Sequence, residues 1–490
     1  MSDPLVVSLV VVYFAISFLV GILGRRLVKQ PEHYFAAHRL FGPVIIGIAS
    51  FAAIMSGFGF VGGPGLVYSR GAISLWITLS QSVAFGFSWW IIGKRLRALA
   101  EVRKFATLPE IAGDRFKSNA VRCLLALCLI LGVIAYLGTQ VMAGGYVVSG
   151  LLGVSLELGI AIIFGITMVY TVVAGMVASI LTDVFQGAVM LIAAIAILVL
   201  ALVITGGTEG LFTPIAQKDP TLIDPLGVGT WMLALMWYFI FAIGNLGQPH
   251  LATKFLAVRS YKDLKWGGVI SGGSYMVSSL LWIFVGYAAL WFVVIGKLSP
   301  LAKPDEAATA FLSQIPSWAS GIVYAGLLAA IMSTASGFIS IGTAAIVRDI
   351  PKALKREIAY EKQIFWGRVV TVLLTLFALL FGYFGGYLVA LLGALGWGYF
   401  ASALVPILGI GLNWKRATRE AAIASLSIAL GLNIVFLILE QILKFRMPYG
   451  MPSYVIVLLL SLLAIIFVSF VTKSSSEDEI DPDIRAAMEL

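Results

Sequence analysis

Charge is scarce in this chain. Only 12% of its 490 residues are Asp, Glu, Lys or Arg, against 60% that are hydrophobic. Soluble domains carry about 25% charged residues, and a soluble protein of this length would need polar surface for several domains. A soluble enzyme is therefore excluded. Cysteine is limited to Cys123 and Cys128. Five positions apart in one apolar run, they point in different directions on a helix and are not expected to bridge, and no disulfide framework or metal-ligand cluster accompanies them. Paired carboxylates, a His/Glu metal motif and a nucleophile triad are all missing from the apolar runs, which leaves a membrane enzyme without support. The opening Met1-Ser2-Asp3-Pro4 has no basic n-region, so the first apolar run reads as a retained helix rather than a cleaved signal. The long runs also lack the alternation of a membrane β-barrel.

What is present is enough apolar sequence for about a dozen membrane spans of roughly 20–25 residues. Reading for apolar runs predicts an all-α polytopic membrane protein with thirteen helices, near 5–24, 41–65, 73–93, 122–150, 156–175, 180–206, 229–256, 266–296, 318–347, 365–384, 387–411, 418–441 and 452–471. Of the 33 Lys and Arg residues, all but Arg70, Lys218, Lys297, Lys303, Lys444 and Arg446 then fall on one side. The positive-inside rule makes that side cytoplasmic and puts the N-terminus outside. The net charge of +9 is thereby explained by topology, and nucleic acid is not expected as a partner. Residues 1–472 read as one transmembrane domain, followed by a short acidic tail at 473–490, expected to be solvated and cytoplasmic.

Two predicted spans contain helix breakers. Span 2 holds Ser56-Gly57-Phe58-Gly59-Phe60-Val61-Gly62-Gly63-Pro64-Gly65, and span 7 holds Gly244-Asn245-Leu246-Gly247-Gln248-Pro249-His250. These spans lie five apart. If 41–206 and 229–411 are two halves, each half opens on a broken helix, and an odd offset makes equivalent helices antiparallel. Paired discontinuous helices in an inverted repeat point to a binding site near the midplane. Gly247, Gln248 and Pro249 are the expected break and gating residues. Close helix packing is the other reading of such glycines.

Several segments resemble the sodium:solute symporter family. They are Glu32-His33-Tyr34-Phe35-Ala36-Ala37-His38-Arg39-Leu40, Gly175-Met176-Val177-Ala178 with Thr182-Asp183-Val184-Phe185-Gln186, Gly247-Gln248-Pro249-His250 with Lys254-Phe255-Leu256-Ala257, and Ala329-Ala330-Ile331-Met332-Ser333-Thr334. They occur in family order over about residues 5–470. The resemblance implies a LeuT-like fold, a five-plus-five inverted repeat with one helix before it and two after.

It also implies a sodium site of carbonyls at Ala52, Met55 and Ala330 with hydroxyls at Ser333 and Thr334. Sodium is a hard cation that prefers such oxygen ligands, and a break in span 2 frees carbonyls; back-bonding within its own helix is the other role open to a Ser-Thr pair. Asp183 is the acidic residue that falls within a span, and an intramembrane carboxylate is by default functional. The family reading puts it on the ion path with Ser336. A second sodium site there would use a hydroxyl where this chain has Gly337, so one sodium per cycle is expected. Glu157 and Glu440 at span ends read as structural, as do His33, His38 and Lys254, taken as surface or loop contacts. His250 reads as a packing or conformational residue rather than a proton carrier.

The expected substrate pocket lies beside the breaks. Its candidates are Ser56, Gly57, Phe58 and Phe60, then Gln140, Phe241, Asn245, Trp397 and Tyr399, although any one aromatic could equally be core. The pocket offers no Arg or Lys, so an anionic group would rest on half-helix N-termini. That suits one carboxylate, as in a small amino acid or a monocarboxylate; an uncharged sugar or polyol is less well served. Phe241, Asn245 and Ile54 depart from the Trp, Tyr and Asp usual in the family's proline-transporting members. The expected function is sodium-coupled uptake of a small organic solute across the cell's inner (plasma) membrane, with Na+ as coupling ion and no organic cofactor. The alternatives are a proton-coupled transporter of the same fold and a transporter-like membrane sensor. Oligomeric state is not legible.

Overall fold

The computed structural model describes residues 3–25, 40–103, 105–173, 176–356, 358–445, 447–473 and 480–490. Among the described residues the chain is helical, with one isolated bridge between Phe41 and Val258 in place of any strand. The first half runs through α1 (Pro4–Arg25), α2 (Pro43–Ile54), α3 (Gly63–Arg70), α4 (Leu75–Ser88), α5 (Lys94–Val102), α6 (Leu108–Arg115), α7 (Asn119–Leu152), α8 (Leu156–Val173), α9 (Met176–Thr205) and α10 (Gly207–Lys218). The second half follows with α11 (Trp231–Gly244), α12 (Pro249–Phe255), α13 (Tyr261–Val294), α14 (Ala307–Leu312), α15 (Ser317–Ala344), α16 (Ile350–Ala353), α17 (Tyr360–Gly385), α18 (Val389–Leu404), α19 (Arg419–Gln441), α20 (Ser453–Val471) and α21 (Pro482–Met488).

Local chemistry sets several boundaries. Thr107, Ser118, Thr230 and Thr418 each accept a hydrogen bond from the backbone N–H three residues on, so each caps the helix it precedes. Gly153 ends α7 in the left-handed region at φ 66°, where a residue without Cβ is favoured.

Among the described residues ten helices are long and apolar enough to cross a membrane, eleven if the bent pair α11 and α12 is one span. The expected count of thirteen is not confirmed by this length criterion, which a divided helix such as span 2 does not meet. Span 2 stops at Ile54 and resumes after the break as α3, which is closed by Gly71 (φ 66°) before α4 begins at Leu75. Span 5 corresponds to α8, Leu156–Val173, an apolar helix of 18 residues.

The two sequence breaks are real interruptions of helix. Met55, with φ −76° and ψ 110°, terminates α2, and a wide turn at Phe58–Gly62 leads into α3. Asn245–Gly247 forms a tight turn, and α12 restarts at Pro249 with a 41° bend. Proline suits the first turn of a helix because its missing N–H would have no partner there. The breaks lie in the middle of the bundle. Behind the turn at Phe58–Gly62 stand α7, α15 and α18, which are almost fully buried along the segments that face it. By contrast α1, α9, α17 and α20 expose rows of large apolar side chains, such as Val12, Val203, Phe384 and Phe467, as lipid-facing helices do.

At one end of the bundle a loop closes over the broken helix. Tyr68 of α3 accepts from the Leu301 N–H (3.1 Å), and Asp305 accepts from the Val389 N–H at the start of α18 (3.0 Å). The loop backbone at Pro304 lies where a Cβ on Gly65 would come within 2.8 Å.

At the other end, charged groups knit the helix ends together. Glu110 is paired with Lys352 (3.1 Å), Arg348 (3.5 Å) and Arg122 (3.8 Å). Burial would raise its carboxyl, but the Ala106 N–H and the cations Arg348 and Lys352 hold it below the usual range. The end of the tail is docked here rather than solvated, which corrects the sequence reading for residues 480–490. Arg103 grips Asp481 (2.5 Å) and Asp483 (2.9 Å) and also approaches Asp114 (3.5 Å). Lys415 meets Glu489 (2.9 Å). Ile480 and Ile484 are buried beside α5. The sequence reading saw the tail's charge but not its buried apolar residues Ile480, Ile484 and Met488, the last two on one face of α21.

Candidate functional site

The end of α2 supplies carbonyls, and α15 supplies hydroxyls to meet them. Ser333 donates to the Ala52 carbonyl (2.9 Å) and to that of Ala330 in its own helix (3.3 Å). Thr334 donates to the Ala53 carbonyl (3.2 Å). All these residues are buried. A carbonyl near the end of α2 has lost its own helical donor because the chain turns away at Met55, so it is free to accept from elsewhere. Four of the five expected sodium ligands, Ala52, Ala330, Ser333 and Thr334, thus lie together. Met55 adjoins them as the last residue before the break, although the hydroxyls reach Ala52 and Ala53. Ser336 turns back to the Ser333 carbonyl (3.0 Å).

This oxygen cluster borders a cavity that Asp183, His250 and Lys254 also line. Lys254 is 5% exposed and Asp183 1%, and the lysine ammonium donates to Asp183 Oδ2. Lys254 is therefore not a surface or loop contact, which overturns the sequence reading. That reading placed it among the basic residues after span 7, but the 41° bend at Gly247 turns α12 inward toward α9. The His250 ring packs edge-on against Phe338, with centroids 4.5 Å apart. Neither of its nitrogens has a partner among the described residues.

The second cluster is aromatic. Phe58 stacks on Phe241 (5.4 Å, 15°) and meets the edge of Trp282 (5.4 Å, 83°), and Phe241 packs on Trp397 (5.2 Å). Beside it the Ser56 and Tyr136 hydroxyls are hydrogen-bonded (3.1 Å). The Gly57 N–H donates to Gln140 Oε1 (2.9 Å), and the Phe58 N–H donates to Ser56 Oγ (3.2 Å). These two N–H groups open the second half of the broken helix, where the backbone offers unpaired donors. Their partners here are neutral acceptors of the chain itself. Gly57 has no room for a side chain, because a Cβ would stand 2.6 Å from that of Ala143.

Ser56, Gly57, Phe58, Gln140, Phe241 and Trp397 are therefore brought together. Asn245 is not with them. Its side chain donates to Ser88 of α4 (2.9 Å), on the far side of α11. Tyr399 points to the Asn433 carbonyl of α19 (3.5 Å), and Phe60 packs toward α15 at Gly326. At the second break Gln248 donates to the carbonyls of Gly244 (2.9 Å) and Trp397 (3.2 Å). A Cβ on Gly247 would lie 2.8 Å from Ala401, so this glycine lets α12 pass close to α18. Pro249 opens α12.

Sequence reasoning missed Tyr136 and Trp282. Tyr136 was within reach of it, since it lies four residues before Gln140 and so shares its helix face. Trp282 carried no local signal, because α13 approaches the site only through the tertiary packing. His33, His38 and the segment Glu32 to Arg39 lie outside the described residues, as does Gly175.

Comparison with known proteins places the chain in a family. Residues 34–429 match the family model described as the sodium:solute symporter family. The chain is 27% identical over 479 residues to "Sodium/proline symporter 2" of Staphylococcus saprophyticus, covering 95% of this chain and 92% of that one. It is 26% identical to the osmoregulated proline transporter of Bacillus subtilis (96% of each chain) and 29% identical to the sodium/proline symporter of Escherichia coli (87% and 86%). Among solved structures, a substrate-bound, outward-open Na+-coupled sialic acid symporter superimposes with a TM-score of 0.77, covering 97% of this chain and 99% of that one at 17% identity. A nucleobase-cation-symport-1 family transporter gives 0.54 at 15% identity, and both likenesses are of fold. With a matching family model over most of its length, and broken helices that set carbonyls against paired hydroxyls, the chain belongs to the sodium:solute symporter family.

Proposed function

We propose that this chain imports a small organic solute bearing one carboxylate, with proline the first candidate, by alternating access coupled to one sodium ion per cycle. The observation that carries the reading is the pair of hydroxyls on α15, Ser333 and Thr334, facing the Ala52 and Ala53 carbonyls at the end of α2 (2.9 and 3.2 Å). An arriving Na+ would take the carbonyls and turn the hydroxyl lone pairs toward itself, giving the neutral oxygen cage a hard cation prefers. Because those oxygens belong to two helices, the ion would draw the end of α2 onto α15 and so fix the geometry of the break.

The solute would sit on the other face of the same break. Its carboxylate would replace Gln140 and Ser56 on the Gly57 and Phe58 N–H groups, and its apolar body would lie on Phe58, Phe241 and Trp397. Proline suits both features, and three relatives are described as proline transporters. The architecture behind this is a LeuT-like five-plus-five inverted repeat over 41–206 and 229–411, in a plasma-membrane protein with its N-terminus outside and its acidic tail in the cytoplasm. A membrane potential of 100 mV gives about 2.3 kcal/mol per charge, and a tenfold sodium gradient about 1.4 kcal/mol. Together they support roughly 500-fold accumulation of a zwitterion.

Reconstituted protein should show uptake of labelled proline driven by an inward sodium gradient, and sodium-dependent counterflow. Sodium-driven uptake of a monocarboxylate but not proline would move the substrate. Uptake that ignores sodium and follows a proton gradient would replace the coupling ion. No counterflow with any amino acid or carboxylate would make the chain a sensor.

A further inference from the structure

One charged pair lies next to the proposed sodium cage. Asp183 belongs to α9 in the first half of the chain and Lys254 to α12 in the second, 71 residues apart, and both are buried. Lys254 holds Asp183 Oδ2, while Asp183 Oδ1 is buried with no hydrogen-bond partner among the described residues. The cavity that both line is also lined by Ser333, Thr334 and Ala53. It has room for a centre of about one water molecule, at about 10 Å³. A sodium ion leaving the hydroxyl cage through this cavity would pass the Asp183 carboxylate on its wall.

A bare carboxylate beside such a cavity would be a strong cation trap, because charges interact far more strongly away from bulk water. We propose that Lys254 is a cation tethered to the chain that occupies the Asp183 carboxylate, so that sodium passes this point without being retained. Lys254 is thus a positioning residue for the ion path. It limits the protein to the cage sodium, and it keeps the cavity near neutral for the ion to cross. The unpartnered Oδ1 is the oxygen left to meet sodium in transit. The inference rests on the sodium reading above.

The rival is a purely structural ion pair that pins α12 to α9. Both readings expect each single substitution to destabilise the fold, since a buried charge loses its partner, and both expect the double substitution to restore it. They differ in equilibrium sodium binding, which is measured with ²²Na⁺ on the purified full chain without transport. In Lys254→Gln the exposed carboxylate should capture sodium, seen as a second bound ion per chain or an affinity at least tenfold tighter. In Asp183→Asn the unpaired ammonium should weaken cage binding about tenfold. Asp183→Asn with Lys254→Gln should return both number and affinity to the parent values. If Lys254→Gln does not fold, Asp183→Asn and the double variant still decide the matter. Sodium number and affinity unchanged in every folded variant would overturn the proposal while leaving the cage intact. Absence of sodium binding to the parent protein would overturn both.

Discussion

Ser333 of α15 donates its hydroxyl proton to the carbonyl of Ala52, 2.9 Å away, across the point where α2 ends. The two residues are 281 positions apart, so the contact ties the two halves of the chain at the break. Thr334 makes the same kind of contact one residue on, to the Ala53 carbonyl (3.2 Å).

Ser333→Ala and Thr334→Val each remove one oxygen from the proposed cage. The sodium concentration for half-maximal uptake should rise at least tenfold, equivalent to about 1.4 kcal/mol. Thr334→Ser keeps the oxygen and should stay within about threefold of the parent. Unchanged sodium dependence in both deletion variants would remove these residues from the site.

Phe241 and Asn245 lie one helical turn apart in sequence but face different neighbours. Phe241→Ala should raise KM for the solute at least tenfold with little change in sodium dependence. Asn245→Ala should leave substrate preference alone and lower stability by about 1 kcal/mol, the value of one buried hydrogen bond. Melting curves and competition uptake separate the two effects.

Gly63 sits against the Trp282 ring, where a Cβ would stand 2.4 Å from Cδ2. Gly63→Ala therefore overpacks the junction of α3 with α13. A loss of about 1–3 kcal/mol is expected, read as a lower melting temperature in detergent. Trp282→Leu should restore part of it by vacating the space.

Burial pushes the Asp305 carboxyl of the closing loop up to about 7. The Val389 N–H and Lys303 oppose this, Glu306 adds to it, and the Tyr146 phenol lies close by. A carboxyl raised in the folded state binds its proton more tightly folded than unfolded. Its contribution to stability is therefore full below about 3.8 and is lost as pH rises through about 7. Asp305→Asn cannot ionise and should lack this component. The melting temperature of the variant relative to the parent should be higher at pH 8 than at pH 5.

Arg103 holds the tail through Asp481 and Asp483. Arg103→Ala should loosen α21 and speed tryptic cleavage at Arg485, as should Ile484→Asp, which puts a charge into a buried position. Cleavage at the parent rate in both variants would show that the tail is held elsewhere.

Much of this protein is determined by local sequence. Scarce charge and long apolar runs dictate membrane helices, because a bilayer leaves no other home for such segments. Glycines and prolines clustered at 56–65 and 244–249 dictate the two breaks, because those residues either leave the backbone free or deny it a donor. The hydroxyl pair Ser333-Thr334 was singled out by the resemblance to the family, since residue type alone left back-bonding within its own helix equally open. The directions of side chains were decided by the tertiary structure alone. Asn245 and Phe241 look equivalent along the chain, yet packing turns one to Ser88 and the other to Phe58. Lys254 opens a basic stretch with Arg259, Lys262 and Lys265 and reads as surface, but the bend at Gly247 swings it onto Asp183. A buried lysine is tolerated where a carboxylate neutralises it, and here that carboxylate lies 71 residues away, a pairing that residue order does not encode.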